Sequence, residues 1–130
     1  MIIVRGRVAQ GCKHFSTRLK QPKFREAYRT ATGEDLHKGT LDVMVDRCIP
    51  IREHFRMRGK DFDHPDEDFL FEVCRVNGIW AYRLRPYNLC RGDGGHGDNV
   101  LEIACSQEIP HDPTGNEEVE IVLLRDDLAP

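Results

Sequence analysis

The chain of 130 residues lacks any long apolar run; its apolar stretches stop at four or five residues. A membrane-spanning helix needs roughly 20, so no such span is expected. It also lacks the basic excess of a protein built to coat nucleic acid. Lys plus Arg number 19 against 22 Asp plus Glu, a formal net charge of −3, and bulk nucleic-acid binding is excluded as a function class. No CxxC pair occurs. The five cysteines, Cys12, Cys48, Cys74, Cys90 and Cys105, are odd in number and scattered. That argues against a disulfide scaffold and for reduced thiols in a cytoplasmic protein. The opening residues Met1-Ile2-Ile3-Val4-Arg5 have no signal-peptide architecture and read directly as a strand.

What is present fits one small β-rich domain over residues 1–130. Hydrophobic residues make up 39%, and six Phe, three Tyr and one Trp join the aliphatic residues, enough for a single core. Eleven Gly and seven Pro imply many turns.

Periodicity divides the chain into strands and one helix. Residues 2–10 alternate, with Ile3 or Val4 and Val8 facing inward. Pro22 suits a first helical turn. Phe24, Ala27, Tyr28 and Ala31 then recur at helical spacing up to Gly33, predicting an amphipathic helix over 22–32. Residues 40–47 place Leu41, Val43 and Val45 on one strand face and Asp42, Met44 and Asp46 on the other. Residues 50–65 read as charged and irregular, with Ile51, Phe55 and Phe62 available to pin them to the core. Asn77-Gly78 separates two strand-like runs, 69–76 and 79–85, and is a strong hairpin signal because both residues tolerate positive φ. A Gly-rich loop spans 85–99. Strands follow over 99–105 and 118–125. About six strands and one helix in so short a chain predict a closed or nearly closed barrel with the helix in one crossover.

Few local motifs carry chemistry alone. Gly92-Asp93-Gly94-Gly95-His96-Gly97 lacks the GxxxxGK[ST] pattern and precedes no helix, so it is no Walker loop. Asp61, Asp63, His64, Asp66, Glu67 and Asp68 match no EF-hand spacing and read as a solvated acidic loop. Trp80 and Tyr82 sit two apart on a strand and face one side. Core packing is their ordinary role, a stacking platform the alternative.

Three stretches together resemble a known family. They are Gly6-Arg7-Val8-Ala9-Gln10-Gly11, then Gly39-Thr40-Leu41-Asp42-Val43 after a helix of matching length, then Asn99-Val100-Leu101-Glu102-Ile103 followed by Glu118-Val119-Glu120-Ile121. In order and spacing over roughly residues 5–125 they are similar to the archaeal-type CTP-dependent riboflavin kinases. The resemblance implies a six-stranded cradle-loop barrel that transfers a phosphoryl group from CTP to riboflavin, giving FMN and CDP. It implies Mg²⁺ held by Thr40 and Asp42. Two residues apart on a strand, their oxygens face one side, and Mg²⁺ takes oxygen ligands. It makes Glu102 the flavin-contacting acid, placed to orient or deprotonate the acceptor hydroxyl. The nucleotide would meet Gly11, Cys12, Lys13 and His14, and the segment Gln107, Glu108, Ile109 and Pro110.

The chain departs from the family pattern in the opening loop, which has one glycine and two cations in place of a glycine run. Asp42 stands for the family's asparagine, and Lys38 for its proline. A second reading therefore stays open: a non-catalytic module on the same barrel that binds a flavin or a nucleotide without transferring phosphate.

Overall fold

The computed structural model describes residues 1–9, 21–36, 40–63, 67–87, 99–112 and 114–125. Among the described residues seven strands are formed: β1 (Ile2–Val8), β2 (Leu41–Val45), β3 (Phe55–Met57), β4 (Phe69–Val76), β5 (Ile79–Pro86), β6 (Val100–Ala104) and β7 (Val119–Leu123). The helix α1 runs Pro22–Thr32, and a 3-10 turn runs Gly59–Phe62. Sheet neighbours follow the order β3-β4-β5-β6-β2-β1-β7, and β7 pairs back onto β4. The six strands other than β3 thus form a closed antiparallel barrel, as the alternation predicts.

Closure depends on the length of β4. Its first half, Phe69 to Phe71, pairs with β3, and its last three residues, Cys74 to Val76, pair with β7 on the same edge. At the handover the Val73 N–H donates to His54 Nδ1 at 3.0 Å, so an imidazole satisfies the donor left between the two ladders. β3 was not expected within 50–65. Three residues are too few to display a period; the strand is held by Phe55 stacking on Phe71, with ring centroids 4.8 Å apart.

Strand period sorts the side chains into two apolar layers. Inside the barrel lie Val4, Val43, Val45, Cys74, Leu101 and Ile121 with their neighbours. Of the two inward candidates in β1, Val4 is buried and Ile3 is 51% exposed. Outside the barrel, α1 covers β4 and β5. Phe24, Ala27 and Tyr28 form its buried face, which packs on Phe62, Phe69, Phe71 and Leu84. Phe24 meets Phe62 edge-on at 5.1 Å between centroids, an arrangement aromatic quadrupoles favour. The helix ends where Gly33 takes φ 76° and returns its N–H to the Arg29 carbonyl at 2.7 Å. The hairpin turn forms at Asn77 (φ 48°) and Gly78 (φ 82°), and the Asn77 side chain fastens it by accepting from Glu120 N at 2.9 Å and donating to the Pro110 carbonyl at 2.7 Å. None of the described helices is long and apolar enough to cross a membrane.

Candidate active site

Register sets which side chains meet on the outer face. Phe71 opposes Leu84, Leu84 opposes Glu102, and Glu102 opposes Asp42. These four residues form one row across β4, β5, β6 and β2. The row begins apolar, under α1, and ends in two carboxylates. Directly opposed residues of an antiparallel pair hold their Cβ atoms about 4.5–5.5 Å apart. Asp42 and Glu102 are therefore adjacent although sixty positions separate them. Both are buried, at 7% and 6% exposure. Thr40 is half-buried just before β2, and strand period puts it on the side of Asp42. The Ala9 N–H donates to the Asp42 carbonyl at 2.9 Å, carrying the β1–β2 ladder past its last paired strand residue.

Gly11, Cys12, Lys13 and His14 fall outside the described residues, as does most of the 85–99 loop. Gln107, Glu108 and Pro110 are exposed beyond the end of β6, and the side chain of Ile109 is buried in the barrel core. Asn77 ties this segment to the β4–β5 hairpin through the Pro110 carbonyl. In the acidic loop, Asp63 accepts from Lys23 at 2.8 Å. Asp68 accepts from Gly59 N at 2.9 Å and from Arg56 at 3.2 Å. The Gly59 N–H and then the Arg56 guanidinium hold the Asp68 carboxyl below the usual carboxylate range. These carboxylates have structural partners. Among the described residues no group of three or more His, Cys, Asp or Glu is placed to hold a metal ion. The oxygen set at the row's end is two carboxylates and one hydroxyl.

One row further along the outer face come Val73, Tyr82 and Ala104. Tyr82 packs edge-on against Tyr28 and Phe55, at 6.3 and 5.5 Å between centroids. Burial first, then the negative charge of Glu34, raises its phenol above the ordinary tyrosine value. Beyond it stands Trp80, 58% exposed, with the Arg75 guanidinium over its ring at 5.1 Å.

Sequence reading missed a second charged group, inside the barrel. Glu72 opposes Arg83 across β4 and β5, and Leu70 opposes Arg85. Glu72, Arg83 and Arg85 are all buried. Arg125 donates to both oxygens of Glu72, at 2.6 and 3.0 Å, and the Arg52 N–H donates to one at 3.2 Å. Arg83 donates to the Ile49 carbonyl. Period alone signals this group, since Glu72 shares parity with Leu70 and Cys74, and Arg83 with Ile79 and Ala81.

Compared with protein-family models and with curated proteins, the chain matches no family model and no curated protein.

Proposed function

We propose that this protein is a Mg²⁺-dependent phosphotransferase that moves the γ-phosphoryl group of a nucleoside triphosphate, CTP by resemblance, to riboflavin, giving FMN and the nucleoside diphosphate. The observation that carries the reading is the register pairing of Asp42 with Glu102. The residue assigned to the metal and the residue assigned to the acceptor hydroxyl come from separate motifs, yet they stand side by side on β2 and β6.

The donor set fits the ion. Thr40 Oγ1 and the Asp42 carboxylate are hard oxygen ligands, which suit Mg²⁺ over softer metals. Mg²⁺ bound there would neutralise charge on the transferring phosphates. The rest falls to the chain's own groups. Glu102 accepts a hydrogen bond from the ribityl 5′-hydroxyl and aims its oxygen at the γ-phosphorus. As the new O–P bond forms, the bond from the γ-phosphorus to the β–γ bridging oxygen breaks. That oxygen leaves with the electron pair on the diphosphate, and the hydroxyl proton passes to the Glu102 carboxylate. Burial of both carboxylates excludes bulk water, which limits competing hydrolysis. Gly11, Cys12, Lys13 and His14, with Gln107, Glu108, Ile109 and Pro110, are the nucleotide-facing residues in this reading. A cytoplasmic location accords with Cys48, Cys74 and Cys105 as free thiols.

The test mixes purified protein with riboflavin, Mg²⁺ and either CTP or ATP and follows FMN. FMN formation that is lost in Thr40→Ala and Asp42→Ala supports the reading. No FMN with any donor overturns it. Flavin or nucleotide binding without FMN points instead to a binding module on the same barrel.

A further inference from the structure

β3 lies outside the closure of the barrel and keeps an open edge. It ends the sheet order, and among the described residues it pairs only with β4. No backbone group of Phe55, Arg56 or Met57 bonds outside that ladder to a described residue. Alternate N–H and C=O groups of such a strand point away from its sheet, and an open edge of this kind is a template for another strand.

A cavity of about 420 Å³ lies along this edge. Its lining fixes its position. Arg56, Met57 and Arg58 all border it, and Arg58, just past β3, is still extended at φ −79° and ψ 132°. Successive side chains of an extended segment point to opposite faces of the sheet. A cavity over one face would meet alternate residues only, whereas one that meets three in succession runs along the edge. β4 holds the other edge, so this is the free one.

The facing wall is α1. Ala27 and Ala31, one turn apart, border the cavity with short side chains and leave room for a chain between helix and strand. Both walls are held. Phe24 meets Phe62 edge-on, and Lys23 donates to Asp63 at 2.8 Å, which ties α1 to the 3-10 turn after β3. A helix-walled sheet edge suits an extended peptide: backbone pairing supplies affinity and alternate side chains supply selectivity.

Charge selects the occupant. Arg56 is taken up by Glu53 and Asp68, at 2.7 and 3.2 Å. Glu26 of α1, Arg58 and Asp61 of the 3-10 turn also border the cavity. All three are exposed, and none forms an ion pair with a described residue. Two available carboxylates against one guanidinium favour a cationic side chain.

We propose that the free edge of β3 takes an extended peptide of a partner protein, paired backbone to backbone, with a Lys or Arg side chain set between Glu26 and Asp61. The inference does not rest on the phosphotransfer reading, whose carboxylates stand on β2 and β6.

The test titrates wild-type protein into fluorescein-labelled hexapeptides that alternate Val with Lys, with Ser or with Glu, and follows fluorescence polarisation. A fourth probe is the Val–Lys peptide N-methylated at alternate amides, which cannot pair along an edge. Amide exchange at residues 55–57 is compared with and without the Val–Lys peptide, and sedimentation gives the oligomeric state. The variant Glu26→Gln/Asp61→Asn changes only exposed side chains, and unchanged thermal unfolding confirms that it folds. The Val–Lys peptide is expected to bind saturably, about tenfold more tightly than the Val–Ser peptide, with the Val–Glu peptide weaker still. The double variant should lose that preference. N-methylation should weaken binding about tenfold, and exchange at 55–57 should slow on binding. Saturable binding by none of the peptides overturns the proposal. So does equal binding of the N-methylated peptide, which removes the backbone pairing, or a preference for Lys that survives in the double variant. A concentration-dependent dimer that protects 55–57 without peptide overturns it as well, with a second copy of the chain on the edge.

Discussion

Arg125, just past β7, clamps Glu72 inside the barrel: its Nε and Nη2 donate to the two carboxylate oxygens at 2.6 and 3.0 Å. The same guanidinium donates to the Pro50 carbonyl at 2.6 Å. One side chain thus joins the segment after β7, the interior of β4 and the loop before β3. Arg83 approaches the same carboxylate at 3.6 Å. A buried carboxylate with guanidinium partners is weak evidence for net stability, because desolvation opposes the attraction. Removing the carboxylate is a different matter, since it strands buried positive charge.

Glu72→Ala is therefore expected to destabilise the protein by about 3–5 kcal/mol. Glu72→Gln keeps the shape and some of the acceptor geometry and should cost less. Arg125→Ala should also cost less, because Arg83 at 3.6 Å and the Arg52 N–H remain beside the buried carboxylate. Denaturant midpoints for the three variants check the order. A Glu72→Ala midpoint within error of wild type would show that the cluster stabilises nothing.

The proposed metal role of Thr40 and Asp42 has a readout that does not depend on turnover. A ligand that binds only the folded state stabilises it by mass action. Saturating Mg²⁺ is expected to raise Tm by about 5 °C or more over the EDTA-treated protein. Thr40→Ala and Asp42→Asn should lose most of that rise. Glu102→Gln should keep more of it while abolishing FMN formation, because its assigned partner is the acceptor hydroxyl. Equal Mg²⁺ shifts in wild type and Asp42→Asn would remove Asp42 from the metal site.

Much of this fold is legible from period and punctuation. Asn77-Gly78 between alternating runs marks the hairpin, Pro22 and Gly33 bracket the helix, and Leu41, Val43 and Val45 declare the inner face of β2. Closure is not legible, since it depends on β4 changing partner midway, from β3 to β7. The carboxylate row is legible only in pieces. Asp42 and Glu102 can each be placed on a strand face, but that β2 lies beside β6, and in which register, is a long-range fact that local pattern does not contain. Glu72 and Arg83 show the opposite difficulty. Their parity points inward while their charge argues outward, and only their mutual pairing resolves the conflict.

Burial in the barrel pushes the Cys74 thiol up to about 12, from a free value near 9.0, with the Glu72 charge as the next cause. A raised folded pKa means that the folded state holds its proton after the unfolded state has lost it. Stability from this group is then complete below about pH 9 and declines as pH rises toward 12. The slope approaches about 1.4 kcal/mol per pH unit. Tyr28, whose phenol is also raised by burial, adds to the decline from about pH 10. Between about pH 8 and about pH 10.5 wild type should lose about 2 kcal/mol more than Cys74→Ala does. Parallel losses in the two proteins would mean that Cys74 titrates alike folded and unfolded.

Gly6 tests how tightly β1 lies on β2. Any Cβ there would sit 2.8 Å from Val43 Cγ1 and 2.9 Å from Val45 Cγ1, and closer still to the Met44 carbonyl oxygen. The valines have alternative rotamers, but the carbonyl belongs to the ladder pairing Gly6 with Val45 and cannot turn aside without breaking it. Gly33 is the converse case. A Cβ there meets nothing within 4 Å, yet φ is +76°, so the cost of Gly33→Ala is backbone strain of about 1–2 kcal/mol. Gly6→Ala combines overpacking of about 1–3 kcal/mol with damage to the strand pair. The expected order of denaturant midpoints is wild type, then Gly33→Ala, then Gly6→Ala. A Gly6→Ala protein as stable as Gly33→Ala would show that β1 can withdraw from β2 at little cost.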